Sequence, residues 1–165
     1  MAYQKTQGYQ ALNILVTDNA NIPYTTVASK GKSDSINPNQ LIAEAGAAFS
    51  NTAYTGDIVY NTTTGTAATV INVVDNVTLD LNANIFLNVG GQEDYILYSA
   101  SAVTNYQDAN NGCVLYIGES GDLTVDTITG DEKVLFSSVP IGFFPVQVKK
   151  VWGAGTTAKK LVALW

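Results

Sequence analysis

The stretch PIGFFPVQVKKVWGAGTTAKKLVALW, residues 140–165, decides the fold that this sequence predicts. It ends on Leu164 and Trp165 without a polar tail. Removing apolar area from water is worth about 25 cal/mol per Å², so this ending predicts a last strand inserted into a sheet. Alternation along the two strands of the stretch predicts that the inward positions are Val146, Val148, Leu161, Ala163 and Trp165.

The same stretch predicts a hairpin that closes the chain. Residues 147–152 have a strand pattern, and the sequence GAGTT at 153–157 is typical of a short turn before the last strand. Four lysines flank this turn, and lysines on edge strands protect a sheet against aggregation. An acidic partner is the alternative explanation. These lysines are Lys149, Lys150, Lys159 and Lys160.

The composition indicates a polar but weakly charged surface. Only 13% of the 165 residues are charged, against about 25% in an ordinary domain, while 46% are hydrophobic. This balance predicts many strands and a surface partly covered by other subunits. The net charge is −6 and arginine is absent, which argues against binding of nucleic acid and against a phosphate site.

The single cysteine and the N-terminal sequence indicate in which cellular compartment the chain is made. Cys113 excludes a disulfide within the chain, and the apolar residues after it predict a buried thiol. The N-terminus has no signal-peptide pattern, and no apolar run reaches the roughly 20 residues that span a bilayer. We therefore expect synthesis in a cytoplasm and no membrane partner.

The order of patterns along the chain predicts an all-β fold, an antiparallel β-sandwich or barrel of jelly-roll type with an extended N-terminal arm and one short helix. The arm is residues 1–50, and Asn37 and Pro38 predict the helix at 39–45. Residues 51–165 are the β-domain, with two packed modules at 51–102 and 112–165 as an open alternative. About ten strands are predicted, separated by Gly, Asn and Asp turns.

The residue types argue against an enzyme. Without histidine there is no His-based triad and no His-ligated metal, and no phosphate-binding loop is present. Two carboxylate pairs remain for glycosidase-like chemistry or for Ca²⁺: Asp122 with Asp126, and Asp131 with Glu132. A turn explains the second pair as well. We therefore predict no catalytic residue, no metal ligand and no cofactor.

The aromatic residues provide the candidate interface. Aromatic anchors dominate protein interfaces, and the chain has nine tyrosines, five phenylalanines and two tryptophans. Four tyrosines on predicted strands are expected to pack between sheets: Tyr60, Tyr95, Tyr98 and Tyr116. The interface candidates lie in the N-terminal part or at the bend near residue 143, where the core is an equal alternative. They are Tyr3, Tyr9, Tyr24, Phe49, Phe143 and Phe144.

Two groups of segments resemble virion structural proteins of tailed bacteriophages. The first group is GDIVYNTT at 56–63, ATV at 68–70, LDL at 79–81, IF at 85–86 and YILY at 95–98. The second resembles the terminal β-module of small head proteins, and consists of LYIG at 115–118, GDLTV at 121–125, PVQVKKVW at 145–152, GTTA at 155–158 and ALW at 163–165. Together they cover about two thirds of the chain.

The resemblance implies a capsid decoration (cement) protein, which would bind and stabilise the assembled phage head as a homotrimer. Its implied partners are the major capsid protein, further copies of itself and other virion proteins. A neck, tail or fibre-base component is an alternative, because such modules occur throughout virions and fold alone does not fix function. A carbohydrate-binding module for host attachment is a third hypothesis, from a different class.

Overall fold

The computed structural model describes residues 10–34, 37–87, 91–100 and 112–165. These residues form twelve strands, arranged as two six-stranded antiparallel sheets, and one short helix. The predicted all-β antiparallel fold is therefore confirmed. No helix in these ranges is long and apolar enough to cross a bilayer.

The elements are short, with three to ten residues each. In order they are β1 (Ala11–Asn13), β2 (Val27–Ser33), β3 (Gln40–Ile42), α1 (Phe49–Thr52), β4 (Ile58–Asn61), β5 (Thr66–Val73), β6 (Thr78–Leu81), β7 (Glu93–Tyr98), β8 (Cys113–Glu119), β9 (Gly121–Thr127), β10 (Val134–Val139), β11 (Gly142–Val151) and β12 (Lys159–Leu164).

The strands belong to two compact units, each with its own sheet. The terminal unit combines the described residues of 1–16 and 110–165, and the inserted unit is formed by those of 17–109. The predicted boundary at residue 50 does not coincide with this division, because β2 and β3, from the predicted arm, are strands of the inserted unit's sheet. They pair there with β7 and β6.

The terminal unit joins the two ends of the described chain. Its strand order is β1-β12-β8-β11-β9-β10, so the last strand is inserted between β1 and β8 as the sequence predicts. Ala11 lies opposite Leu164, and the Trp165 N–H donates to the Gln10 carbonyl oxygen at 3.2 Å. Of the predicted inward positions Val148, Leu161 and Ala163 are buried, whereas Val146 and Trp165 are half-buried.

The predicted closing hairpin is wrong, because β8 lies between β11 and β12. Residues 152–158 run along β9 instead of turning tightly. The Thr124 and Asp122 backbone N–H groups donate to the hydroxyls of Thr156 and Thr157 at 3.0 and 2.8 Å. The edge-lysine interpretation is wrong for the same reason, since β11 and β12 each have a neighbour on both sides.

The sheet of the inserted unit curls until its outer strands meet. Its order is β2-β7-β4-β5-β6-β3, and a bridge between Ser33 and Ala43 connects the two ends. The Asp34 N–H also donates to the Ile42 carbonyl oxygen at 2.9 Å. Of the two predicted forms, a sandwich or a barrel, this closed sheet corresponds to the barrel. The core inside it includes Leu41, Phe49, Val59, Leu79 and Leu97, which are fully buried.

The helix predicted at residues 39–45 is wrong, and the helix observed is α1. Leu41 and Ala43 are buried while their neighbours are more exposed, which is the two-residue period of a strand. Leu41 pairs with Leu79 of β6. Asn39 has a φ of 59°, a left-handed conformation that interrupts a helix. Burial of Leu41 in the barrel therefore overrides the capping pattern at Asn37 and Pro38.

The polar residues of the GDIVYNTT segment fix two turns of the inserted unit. The Asp57 carboxylate accepts hydrogen bonds from the backbone N–H groups of Tyr54 at 2.9 Å and Ala100 at 2.8 Å. The fully buried Asn61 amide donates to the Ile85 carbonyl oxygen at 2.8 Å. Its oxygen accepts from the N–H groups of residues 63 and 64. These side chains are structural.

Replacing Asn61 with alanine is expected to lower the free energy of unfolding by about 2 kcal/mol, because the Ile85 carbonyl oxygen loses its buried donor and the turn at residues 63 and 64 loses its acceptor. Urea unfolding measures the loss. Asn72→Ala is the matched control, since Asn72 forms an exposed hydrogen bond to Asp80 and its removal is expected to cost less than about 0.5 kcal/mol. Equal stability of Asn61→Ala and the wild-type chain would contradict this assignment.

Candidate interaction surface

One of the candidate catalytic carboxylates belongs to a structural cluster in the terminal unit. Asp126 is only 5% exposed, and its Oδ1 accepts hydrogen bonds from the Trp152 indole at 2.6 Å and from the Lys133 backbone N–H at 2.8 Å. The ammonium groups of Lys133 and Lys150 lie 4.3 and 3.6 Å from the centroid of the Trp152 ring, within cation–π range. The cluster holds the start of the 152–158 connection against β9.

Two further carboxylates of the predicted pairs, Asp122 and Asp131, support turns. Asp122 accepts a hydrogen bond from the Ser138 backbone N–H at 2.8 Å. Asp131 accepts from the Thr127 and Thr129 hydroxyls at 2.9 and 3.0 Å, and these bonds lower the pKa of the Asp131 carboxyl. Within the described ranges, no three Asp, Glu, Cys or His side chains are grouped as a metal ion would require. Structural roles account for these hydrogen-bonded carboxylates.

Cys113 is a core residue, as the sequence predicts. It is 2% exposed at the start of β8, and its thiol lies 3.6 Å from the Val148 carbonyl oxygen. Burial raises the pKa of the Cys113 thiol to about 12. The thiolate, which is the reactive form, is therefore suppressed at neutral pH.

The predicted N-terminal interface residues do not form a described surface. Tyr3 and Tyr9 lie outside the described residues, and Tyr24 is half-buried. Phe49 is fully buried in the core of the inserted unit, where its ring meets the edge of Tyr95 at a centroid distance of 6.0 Å. The prediction that Phe49 lies at an interface is therefore wrong, because its side chain is buried inside the barrel.

The two phenylalanines at the bend divide between core and surface. Phe144 is 5% exposed and its ring packs against Phe136, with the centroids 4.8 Å apart. It is therefore a buried residue, and its assignment to an interface is wrong. Phe143, which precedes Phe144 on β11, is 73% exposed. Alternation along the strand directs these neighbouring side chains to opposite faces.

Phe143 is the centre of an apolar surface that we call the Phe143 face, formed by Tyr116, Pro140, Ile141, Phe143 and Pro145. Phe143 lies opposite Tyr116 in the pairing of β11 with β8, and the two rings meet edge to face with centroids 5.6 Å apart. Ile141 is 60% exposed and Tyr116 38% exposed. Both prolines are exposed. Tyr116, Phe143 and Pro145 lie on the paired strands β8 and β11, and Pro140 and Ile141 lie in the connection that leads into β11.

A cleft of about 300 Å³ opens beside the Phe143 face. Its walls contain aromatic, proline, valine and serine residues and carry no charged side chain. They are Phe136, Ser137, Ser138, Val139, Pro140, Phe143, Phe144 and Pro145. The cleft and the face together form an uncharged surface that could receive apolar side chains of another protein.

Sequence reasoning identified Phe143 but missed Tyr116 and Ile141. Tyr60, Tyr95 and Tyr98 are buried as predicted, whereas the prediction that Tyr116 packs in a core is wrong. Its neighbours Leu115 and Ile117 are fully buried, so Tyr116 must point to the opposite face of β8. The CVLYI segment at 113–117 is apolar at every position, so hydrophobic alternation gave no sign that Tyr116 is exposed.

Comparisons of the chain with protein-family models, with curated proteins and with solved structures found no match. The resemblance to phage virion proteins therefore rests on the quoted segments alone. The role of the chain therefore has to be inferred from its own surface, where the Phe143 face is the candidate for binding another protein.

Proposed function

We propose that this protein is a non-enzymatic structural component of a tailed-bacteriophage virion that decorates and stabilises the assembled head. The observation that carries the proposal is the Phe143 face. Contiguous exposed apolar residues mark protein interaction sites, and aromatic anchors supply much of the binding free energy in such sites. The resemblance of the segments at 56–98 and 115–165 to virion proteins supports the phage context.

The fold suits a scaffold that binds other proteins without changing shape. Phe143 and Tyr116 lie on neighbouring strands that are hydrogen-bonded to each other, so little conformational entropy remains to be lost on binding. A protein that binds only the assembled lattice shifts the equilibrium toward that lattice by mass action. Repeated weak contacts on a shell also reinforce one another when the bound protein is oligomeric.

Binding to purified heads that lack the protein tests this proposal. We expect saturable co-sedimentation with mature heads and a rise in the temperature at which those heads break open. Dissociated capsid subunits are the matched control, and we expect much weaker binding to them because a single subunit lacks the lattice site. Failure to bind mature heads would refute the decoration role. Binding only to isolated necks or tails would move the protein to those structures.

A further inference from the structure

We infer that the terminal unit has a second binding site, a groove that takes an extended peptide segment of another protein with acidic and apolar side chains. The groove shares no residue with the Phe143 face. The inference goes beyond the proposed function and does not rest on it, because peptide binding is a property of the purified chain alone. Three features lead to it: the end of the pairing between β1 and β12, the chemistry of the groove walls and the charge of the chain.

The groove opens where β1 and β12 stop pairing, and we call it the β1–β12 groove. The last bond between them runs from the Ile14 N–H to the Leu161 carbonyl oxygen at 3.1 Å. Lys160, the residue before Leu161, has a left-handed φ of 55°. A Cβ atom on Gly118 would lie 2.8 Å from the Lys160 Cβ, so this conformation depends on the glycine. Strained backbone of this kind is frequent at ligand sites.

The walls of the β1–β12 groove combine apolar and cationic groups. The groove has a volume of about 940 Å³, and Ile14, Val16 and Leu161 are among its apolar lining residues. Lys159 and Lys160 also line it, and no carboxylate does. A peptide that carries both apolar and acidic side chains matches such walls. A sugar chain matches them less well, because no aromatic ring lines the groove for a sugar to stack on.

The hydroxyl groups of Thr156 and Thr157 add hydrogen-bond donors to the groove. Their oxygens accept the backbone N–H groups of Thr124 and Asp122 at 3.0 and 2.8 Å. A hydroxyl that accepts a hydrogen bond still has its own hydrogen to donate. Because the bonds to β9 already hold both threonines in place, they can donate to a carboxylate or a peptide carbonyl at little cost in conformational entropy.

The distribution of charge favours an acidic segment in this groove. Lys160 forms an ion pair with Glu119, and Lys159 lies opposite the same residue in the pairing of β12 with β8, so one positive charge is left over. The inserted unit repels an acidic segment, since residues 17–109 have nine carboxylates and two lysines. One surplus charge suits the separate carboxylates of a peptide, whereas nucleic acid requires a denser basic surface.

NMR titration of the ¹⁵N-labelled chain with a synthetic decapeptide of alternating valine and glutamate tests the inference. We expect saturable shifts of the amide signals of residues 13–16 and 156–161, with a Kd on the order of 100 μM at low salt. Added salt is expected to weaken binding, because it screens exposed charges. The same decapeptide with glutamine in place of glutamate is expected to bind at least about tenfold more weakly.

Lys159→Glu is expected to weaken binding of the glutamate peptide at least about tenfold. Lys30→Glu is the matched control, since it changes the net charge equally at an exposed position of the inserted unit and is expected to leave the Kd unchanged. Thermal unfolding checks that both variants fold. If Lys159→Glu does not fold, Asn13→Trp replaces it, because the larger side chain fills the groove without a change of charge.

Three results would overturn the inference. The first is the absence of saturable shifts with the glutamate peptide, or shifts confined to residues outside the β1–β12 groove. The second is an equal loss of binding in the Lys159 and Lys30 variants, which would show that only the overall charge matters. The third is tighter binding of an oligothymidylate or a heparin fragment at the same residues, which would assign the groove to a polyanion.

Discussion

Replacing Gly121 with alanine is expected to lower the free energy of unfolding of the terminal unit by about 3 kcal/mol. A Cβ atom at this position would lie 2.5 Å from the Ala158 nitrogen and 2.7 Å from the Thr157 carbonyl carbon. Both neighbours are backbone atoms, so no side chain can rotate away to make room. The substitution would therefore push residues 152–158 off β9 and remove the hydrogen bonds that tie this connection to the sheet.

Gly130→Ala separates this steric effect from backbone strain. Gly130 has a φ of 104°, but nothing lies within 4 Å of the position of its Cβ. Its replacement is expected to cost about 1 to 2 kcal/mol through the left-handed backbone alone. Chemical denaturation of both variants measures the difference. Equal losses would contradict the close approach of the 157–158 backbone to Gly121.

Deletion of Leu164 and Trp165 is also expected to destabilise the terminal unit by about 3 kcal/mol, through lost apolar burial and lost strand pairing. Leu164 lies opposite Ala11 on one side and Val114 on the other, and the Trp165 N–H binds the Gln10 carbonyl oxygen. The deletion thus removes the end of β12 and its pairing with Ala11, while Leu12 and Asn13 still lie opposite Ala163 and Val162.

A chain extended by Gly-Ser after Trp165 is the control for the deletion. It changes the terminus but leaves every pairing of β12 in place, so we expect its melting temperature to match that of the original chain. Thermal unfolding followed by circular dichroism compares the three proteins. A truncated chain that melts within a few degrees of the full chain would show that these two residues contribute little to the fold.

The sequence predicted which side of a strand is buried better than it predicted which strands pair with each other. Alternation identified Val148, Leu161 and Ala163 as buried, since this pattern depends only on which side of a strand faces the core. It could not show that β8 separates β11 from β12, because that order consists of pairings between strands that are distant in the sequence. The short turn-like segment alone favoured a hairpin.

Only part of the candidate site was predicted, because its other residues depend on how strands pair. Phe143 and Phe144 are adjacent and chemically equal, so only the register of β11 with β8 shows which of them is exposed. Tyr116 was assigned to the core because its segment is apolar on both faces. The unequal charge of the two units, in contrast, can be read from the sequence once their boundaries are known: residues 17–109 have nine carboxylates and two lysines, and the rest of the chain has five carboxylates and six lysines.

The location of the protein on purified virions tests the central claim most directly. Electron cryo-microscopy of the phage particle can show whether β-rich density that fits each of the two units covers symmetric positions on the outside of the head. The proposal of a decoration protein predicts many copies there. Copies confined to the neck or tail, or virions that contain no copy of the chain, would contradict it.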